Sequence, residues 1–164
     1  MEVGTSSVLM LPYTASSVGV ARRRLIGDLS EAGVFEATAC DAGLVLSELI
    51  SNALRHATPL PGSVVRVAWW LDDDCVEIAV SDGGGPTTPA VHEPGHSAIG
   101  GRGLGIVDRL ALRWGVCSPT DGAAETTVWA ELALSPDKAD EHAVAGRAAH
   151  HHPRRLVITS SRDA

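Results

Sequence analysis

Apolar residues change their spacing twice along this chain, and each change marks a boundary between elements. SVLMLP, residues 7 to 12, is a short apolar run closed by Pro12, which predicts an edge strand. In TASSVGVARRRLIGDLSEAG, serines offer caps, Val18, Ala21, Leu25 and Leu29 recur at helical spacing, and Gly33 supplies a stop. A second helix is predicted from about 36 to 57, with Leu49, Ile50, Ala53, Leu54 and Ala57 on one face. Arg55 and His56 suit the negative end of its dipole, and Pro59 ends it.

After PLPG the period shortens to two. SVVRVAWWL and CVEIAVSD read as the strands of a hairpin, turned at Asp72, Asp73 and Asp74. Val76, Ile78 and Val80 share a face, and strand parity puts Asp82 there too, with Glu77 and Ala79 on the other. Between Gly83 and Gly103 no period survives, and a loop this long is usually functional or disordered. LGIVDRLALR predicts a short helix carrying Leu104, Val107, Leu110 and Ala111 on one side. RWGVCSP and ETTVWAELAL then close a hairpin around TDGA, whose Asp-Gly is a turn signal. Past Ser135 the chain is polar and alanine-rich, so a domain over 1–134 and a mostly disordered tail over 135–164 are expected. The order β-α-α-β-β-loop-α-β-β predicts an α+β two-layer sandwich, with a mixed, mostly antiparallel sheet covered by helices on one face.

Composition narrows the functional classes. At 164 residues, 45% hydrophobic and 20% charged, the chain describes one ordinary globular domain able to bury a core. A net charge of −7 argues against direct nucleic-acid binding through phosphate contacts. No run is long enough to span a bilayer and the N-terminus lacks a signal-like charge pattern, so a cytoplasmic protein is expected. Cys40, Cys75 and Cys117 have no metal or redox spacing, which predicts reduced thiols.

Three features carry candidate chemistry. Within SELISNALRHA, Glu48, Asn52 and His56 lie at four-residue steps along an otherwise apolar helix. A carboxamide oxygen suits Mg²⁺, and a carboxylate one turn earlier can orient or deprotonate a nucleophile beside it. The pair alone also fits the polar edge of an amphipathic helix. In VSDGGGP, consecutive glycines permit positive φ and close backbone approach, and Asp82 faces the helical layer, where it needs a hydrogen-bond donor such as a purine amino group. The bland reading is a flexible turn capped by Asp82. In GGRGLGIVDRL, glycines 101, 103 and 105 precede a helix whose N-terminus can present N–H groups to phosphate oxygens, without a Walker A lysine. HEPGH at 92–96 matches a zinc-protease pattern formally, but Pro94-Gly95 denies it the continuous helix that chemistry needs. The histidines at 150–152 read as incidental.

Taken in order, SELISNALRHA, VSDGGGP, GGRGLGIV and ETTVWAEL resemble the N box, the two glycine boxes and the last core strand of the histidine-kinase-like ATPases. SVGVARRRL, the short lid and TTVWAEL are most similar to the stand-alone anti-sigma-factor serine/threonine kinases of that family. The resemblance implies an ATP- and Mg²⁺-binding kinase that phosphorylates an anti-anti-sigma antagonist and binds a sigma factor, as a homodimer. The alternative is a nucleotide-binding regulatory module without kinase activity. By the same resemblance Glu48 is the general base, Asn52 the Mg²⁺ ligand, and Asp82 the acceptor for the adenine amino group, with Gly84 giving the base room. Gly101, Gly103, Leu104 and Gly105 offer backbone contacts to phosphates and Arg102 adds charge. Strand parity selects Thr126 over Thr127 for the adenine side. The family often has glycine just before that threonine pair, where this chain has Glu125.

Overall fold

Alternation in β2 (Val64–Leu71) decides how the molecule is layered. Val65, Val67, Trp69 and Leu71 are buried while their neighbours are only partly covered, so one face of the strand meets the core. The structure, a computed structural model, describes residues 5–86, 102–118 and 124–135. In chain order the other elements are β1 (Thr5–Pro12), α1 (Ser16–Glu31), α2 (Glu36–His56), β3 (Cys75–Asp82), α3 (Arg102–Leu110), β4 (Arg113–Cys117) and β5 (Thr126–Ala133). The five strands form one sheet in the order β1-β2-β3-β5-β4. The expected two-layer α+β sandwich is therefore observed, but the sheet is not mixed: all four pairings of the described strands are antiparallel. β1 lies on the edge, as its closing proline suggested.

The core lies between the sheet and the helices. Leu25 and Leu29 of α1, Leu46, Leu49 and Ile50 of α2, and Val107 of α3 meet Ile78, Val80 and Val128. Gly33 ends α1 as expected, at φ +79°. Gly33 N–H reaches Ser30 O at 3.0 Å and Val34 N–H reaches Leu29 O at 3.0 Å, the paired bonds of a Schellman turn. In the β2–β3 hairpin, the Asp72 side chain accepts from the Asp74 and Cys75 N–H groups at 2.9 and 2.8 Å.

α3 differs from the expectation at both ends. It begins at Arg102, so glycines 103 and 105 lie inside its first turn instead of before it. It stops at Leu110 because the sheet claims the next residues: Leu112 N–H donates to Glu131 O at 2.8 Å, and Arg113 pairs with Glu131. HEPGH, the TDGA turn and the chain after Ser135 lie outside the described residues.

One carboxylate fastens α1 to the edge of the sheet. Asp28 Oδ2 accepts from Ser7 Oγ at 2.9 Å and from Trp69 Nε1 at 3.0 Å, while Arg24 Nε sits 3.1 Å from Oδ1. Trp69 is fully buried. Asp28→Ala should therefore strand a buried indole N–H and cost about 2–3 kcal/mol, read as a lower urea midpoint with unchanged slope.

Candidate functional site

α2 packs against the central strands β3 and β5 and against α3, so the elements carrying the three sequence motifs meet on the helix-covered side of the sheet. Glu48 and Asn52 stand one turn apart on α2. Asn52 is 8% exposed, and its carboxamide makes no hydrogen bond to a described residue. Glu48 remains partly open, with Arg55 Nη2 at 4.0 Å from its carboxylate, a loose ion pair that leaves it free to engage elsewhere.

Asp82 ends β3 on the core-facing side, as strand parity required, and is 3% exposed. Its Oδ1 accepts from Gly84 N–H at 2.7 Å. Burial raises its pKa above the usual carboxylate value of 3.8, the Gly84 N–H opposes that rise, and the Glu125 charge adds to it. Thr126 lies directly opposite Asp82 in the β3–β5 register, so the two side chains share a face. Thr127 faces away and exchanges a 2.7 Å hydrogen bond with Ser81.

The three glycines after Asp82 have a structural reason that the sequence did not reveal. A β-carbon at Gly83 would sit 2.4 Å from Pro59 O, at Gly84 2.2 Å from Ala124 O, and at Gly85 2.3 Å from His56 O. Gly84 also holds φ +80°, and a β-carbon there would lie 3.5 Å from Thr126 Oγ1. Hydrogen bonds lock the same contact: Thr58 N–H to Gly84 O and Gly83 N–H to Thr58 O, both 2.8 Å. His56 thus enters through its carbonyl, while its imidazole stays on an exposed residue.

Tyr13 went unnoticed in the sequence. Its hydroxyl lies 2.6 Å from both Ala53 O and Ala57 O, tying the end of β1 to the last turn of α2. Burial raises its pKa, and the Asp82 charge adds to this. A lone tyrosine after a strand carries no local signal of such a long-range contact.

The third motif occupies the start of α3, where the N–H groups of a first turn lack intrahelical acceptors. Arg102, Gly103, Leu104 and Gly105 belong to that turn, Leu104 being buried, and Gly101 lies outside the described residues. No trio of His, Cys, Asp and Glu among the described residues could hold a metal by itself. A hollow between Gly33, Phe35, Leu71 and Ser135 lies at the opposite end of the sheet and contains none of these groups.

A profile of the histidine kinase-like ATPase domain matches residues 11–131, which includes both α2 and the strand pair carrying Asp82 and Thr126. The chain belongs to the histidine kinase-like ATPase family. Among solved structures, it is similar to the RsbU and RsbW domains of Rv1364c from Mycobacterium tuberculosis, at 22% identity and a TM-score of 0.59. That match covers 79% of this chain but 33% of the other, so the chain spans about a third of that protein's length. No curated protein matches the chain. Membership assigns the chain an ATP-binding domain, and the residues fit: a buried carboxylate able to accept from a base, a carboxamide with no partner among the described residues, and the first turn of a helix. No helix among the described residues is long and apolar enough to cross a membrane.

In this histidine kinase-like ATPase domain the buried Asp82 should oppose stability. Its raised pKa means that the native state keeps the proton to higher pH than the unfolded chain, so stability falls as pH rises from 3.8 through the raised value. Asp82→Asn should consequently be more stable than the wild type at pH 7, by about 1 kcal/mol in urea titrations. The difference should narrow as pH is lowered toward 3.8.

Proposed function

We propose that this protein is a cytoplasmic Mg-ATP-dependent serine/threonine kinase that phosphorylates an anti-anti-sigma antagonist and binds a sigma factor. The observation that carries the reading is the pairing of Asp82 with Thr126 beneath a helix that presents Asn52, without a partner among the described residues, and Glu48 one turn away. Asp82 accepts from the adenine amino group, with Thr126 beside it and Gly84 at the turn. Asn52 holds Mg²⁺. The first turn of α3, Arg102 to Gly105 together with Gly101, provides N–H donors and one positive charge for phosphates. Bound Mg-ATP supplies the transferable phosphoryl group and the charge neutralisation that such transfer needs.

The protein's own chemical part is then small and well defined. Glu48, partly exposed and only loosely paired with Arg55, orients the attacking serine or threonine hydroxyl and takes its proton on a carboxylate oxygen. Asn52 and the α3 turn hold their ligands still while this happens. A homodimer fits the free edge of β1, where Val8 and Met10 are exposed.

Calorimetry and radiolabel transfer separate the parts of this reading. Asn52→Ala should weaken Mg-ATP binding by about tenfold or more. Glu48→Ala should retain binding but lower transfer to the antagonist by at least about 100-fold. Undiminished transfer in Glu48→Ala would remove that residue as base. Tight Mg-ATP binding without transfer to any sigma-regulating partner would instead identify the chain as a nucleotide-binding regulatory module.

A further inference from the structure

The connection from α2 to β2, residues 57–63, is held at both ends by Tyr13. At one end the tyrosine hydroxyl reaches Ala57 O at 2.6 Å, and at the other its backbone N–H donates to Ser63 O at 3.0 Å. Ser63 takes φ +58°, a left-handed conformation uncommon for serine that its surroundings must hold in place. Tyr13 is itself anchored, because Ser17 Oγ donates to the preceding carbonyl, that of Pro12, at 2.6 Å.

This clamped connection carries the contact to Asp82. Thr58, next to Ala57, donates twice to Gly84 O, from its N–H at 2.8 Å and from its hydroxyl at 3.0 Å. Its own carbonyl accepts from Gly83 N–H at 2.8 Å. Gly84 N–H then donates to Asp82 Oδ1 at 2.7 Å. The bonds run without a break from Tyr13 through Ala57, Thr58 and Gly84 to the carboxylate. They fix Asp82 at Oδ1, and Oδ2 is the oxygen left for a ligand.

The phenol has one proton for two carbonyls, Ala53 O and Ala57 O, both at 2.6 Å. Ala53 O already receives Ala57 N–H at 2.9 Å, so Ala57 O has the greater need of it. Phenylalanine at this position would fill the same space and lack only that bond.

We propose that Tyr13 is a positioning residue for base recognition. By holding residues 57–63 at both ends it keeps Thr58 on Gly84, and Gly84 keeps Asp82 Oδ2 aimed at the exocyclic amino group of bound adenine. The inference rests on the reading of Asp82 as the adenine acceptor and adds the residues that make that acceptor selective. A hydrogen bond weakens steeply as its angle closes, so a carboxylate free to turn would discriminate little between bases. Tyr13 and Thr58 act only through Asp82, and their effect is confined to the adenine half of the ligand.

Calorimetry with two magnesium nucleotides tests this: ATP, and the triphosphate of purine riboside, which differs from ATP only in lacking the amino group. The ratio of their affinities reads the amino contact alone, because ribose, phosphates and metal are common to both. Wild-type protein should bind ATP tighter by about tenfold or more. Tyr13→Phe should shrink that ratio by about fivefold through weaker ATP binding, with the purine analogue bound as in the wild type. Thr58→Val should shrink it by at least about twofold, and Thr58→Ser, which keeps the hydroxyl, should preserve it. Equal weakening of both nucleotides by Tyr13→Phe, as a general loss of structure would produce, would overturn the proposal. So would an unchanged ratio. If Tyr13→Phe does not fold, Thr58→Val decides by the same two outcomes. A wild type without preference for ATP would remove Asp82 as the adenine acceptor, and this inference with it. A wild-type preference that survives in both Tyr13→Phe and Thr58→Val would overturn the inference alone.

Discussion

Three carbonyl oxygens stand where the β-carbons of residues 83, 84 and 85 would otherwise be, and this crowding of backbone on backbone sets the geometry around Asp82. The oxygens belong to Pro59, Ala124 and His56, so the end of β3 is wedged between the exit from α2 and the entry to β5. Any side chain at these positions would push the three segments apart. The joint holds because glycine alone leaves the necessary volume, and Tyr13 reinforces it by bonding the last turn of α2. Asp82 and Glu48–Asn52 keep their relation because the elements that carry them meet at this joint.

The central strands serve two chemistries at once. Toward the helices, Val76, Ile78, Val80 and Val128 form an apolar floor in which Asp82 is the buried carboxylate at the rim. On the other side, Arg113 donates twice to the Glu131 carboxylate, at 3.0 and 2.5 Å, while Arg66 bonds Glu125 and reaches Ser81 at 3.3 Å. Such pairs return part of the cost of desolvating charge, whereas Asp82 receives one backbone N–H. Desolvation left uncompensated in this way is expected of a group that awaits a ligand.

Much of this arrangement was legible from periodicity. The helix spans, the β2–β3 hairpin, the edge position of β1 and the shared face of Asp82 and Thr126 follow from spacing and strand parity, because burial imposes both. The reason for the glycines was not legible, since the oxygens they avoid lie 24 to 40 residues away in sequence. Tyr13 was hidden for the same reason. The early start of α3 was hidden because glycines 103 and 105 disfavour helix by themselves, and position in the fold overrides that preference. The outer face misled most: an alternating strand reads as half solvated, yet Glu77, Trp129 and Glu131 are buried.

The direct opposition of Asp82 and Thr126 has a consequence for how this chain can change length. Because side chains alternate along β5, gaining or losing one residue within the strand would turn Thr126 outward and bring a charged neighbour into the apolar layer. β3 is bound by the same rule on both of its flanks. Insertions and deletions compatible with the fold are therefore confined to the connections between elements, while the strands tolerate substitution but no change in count.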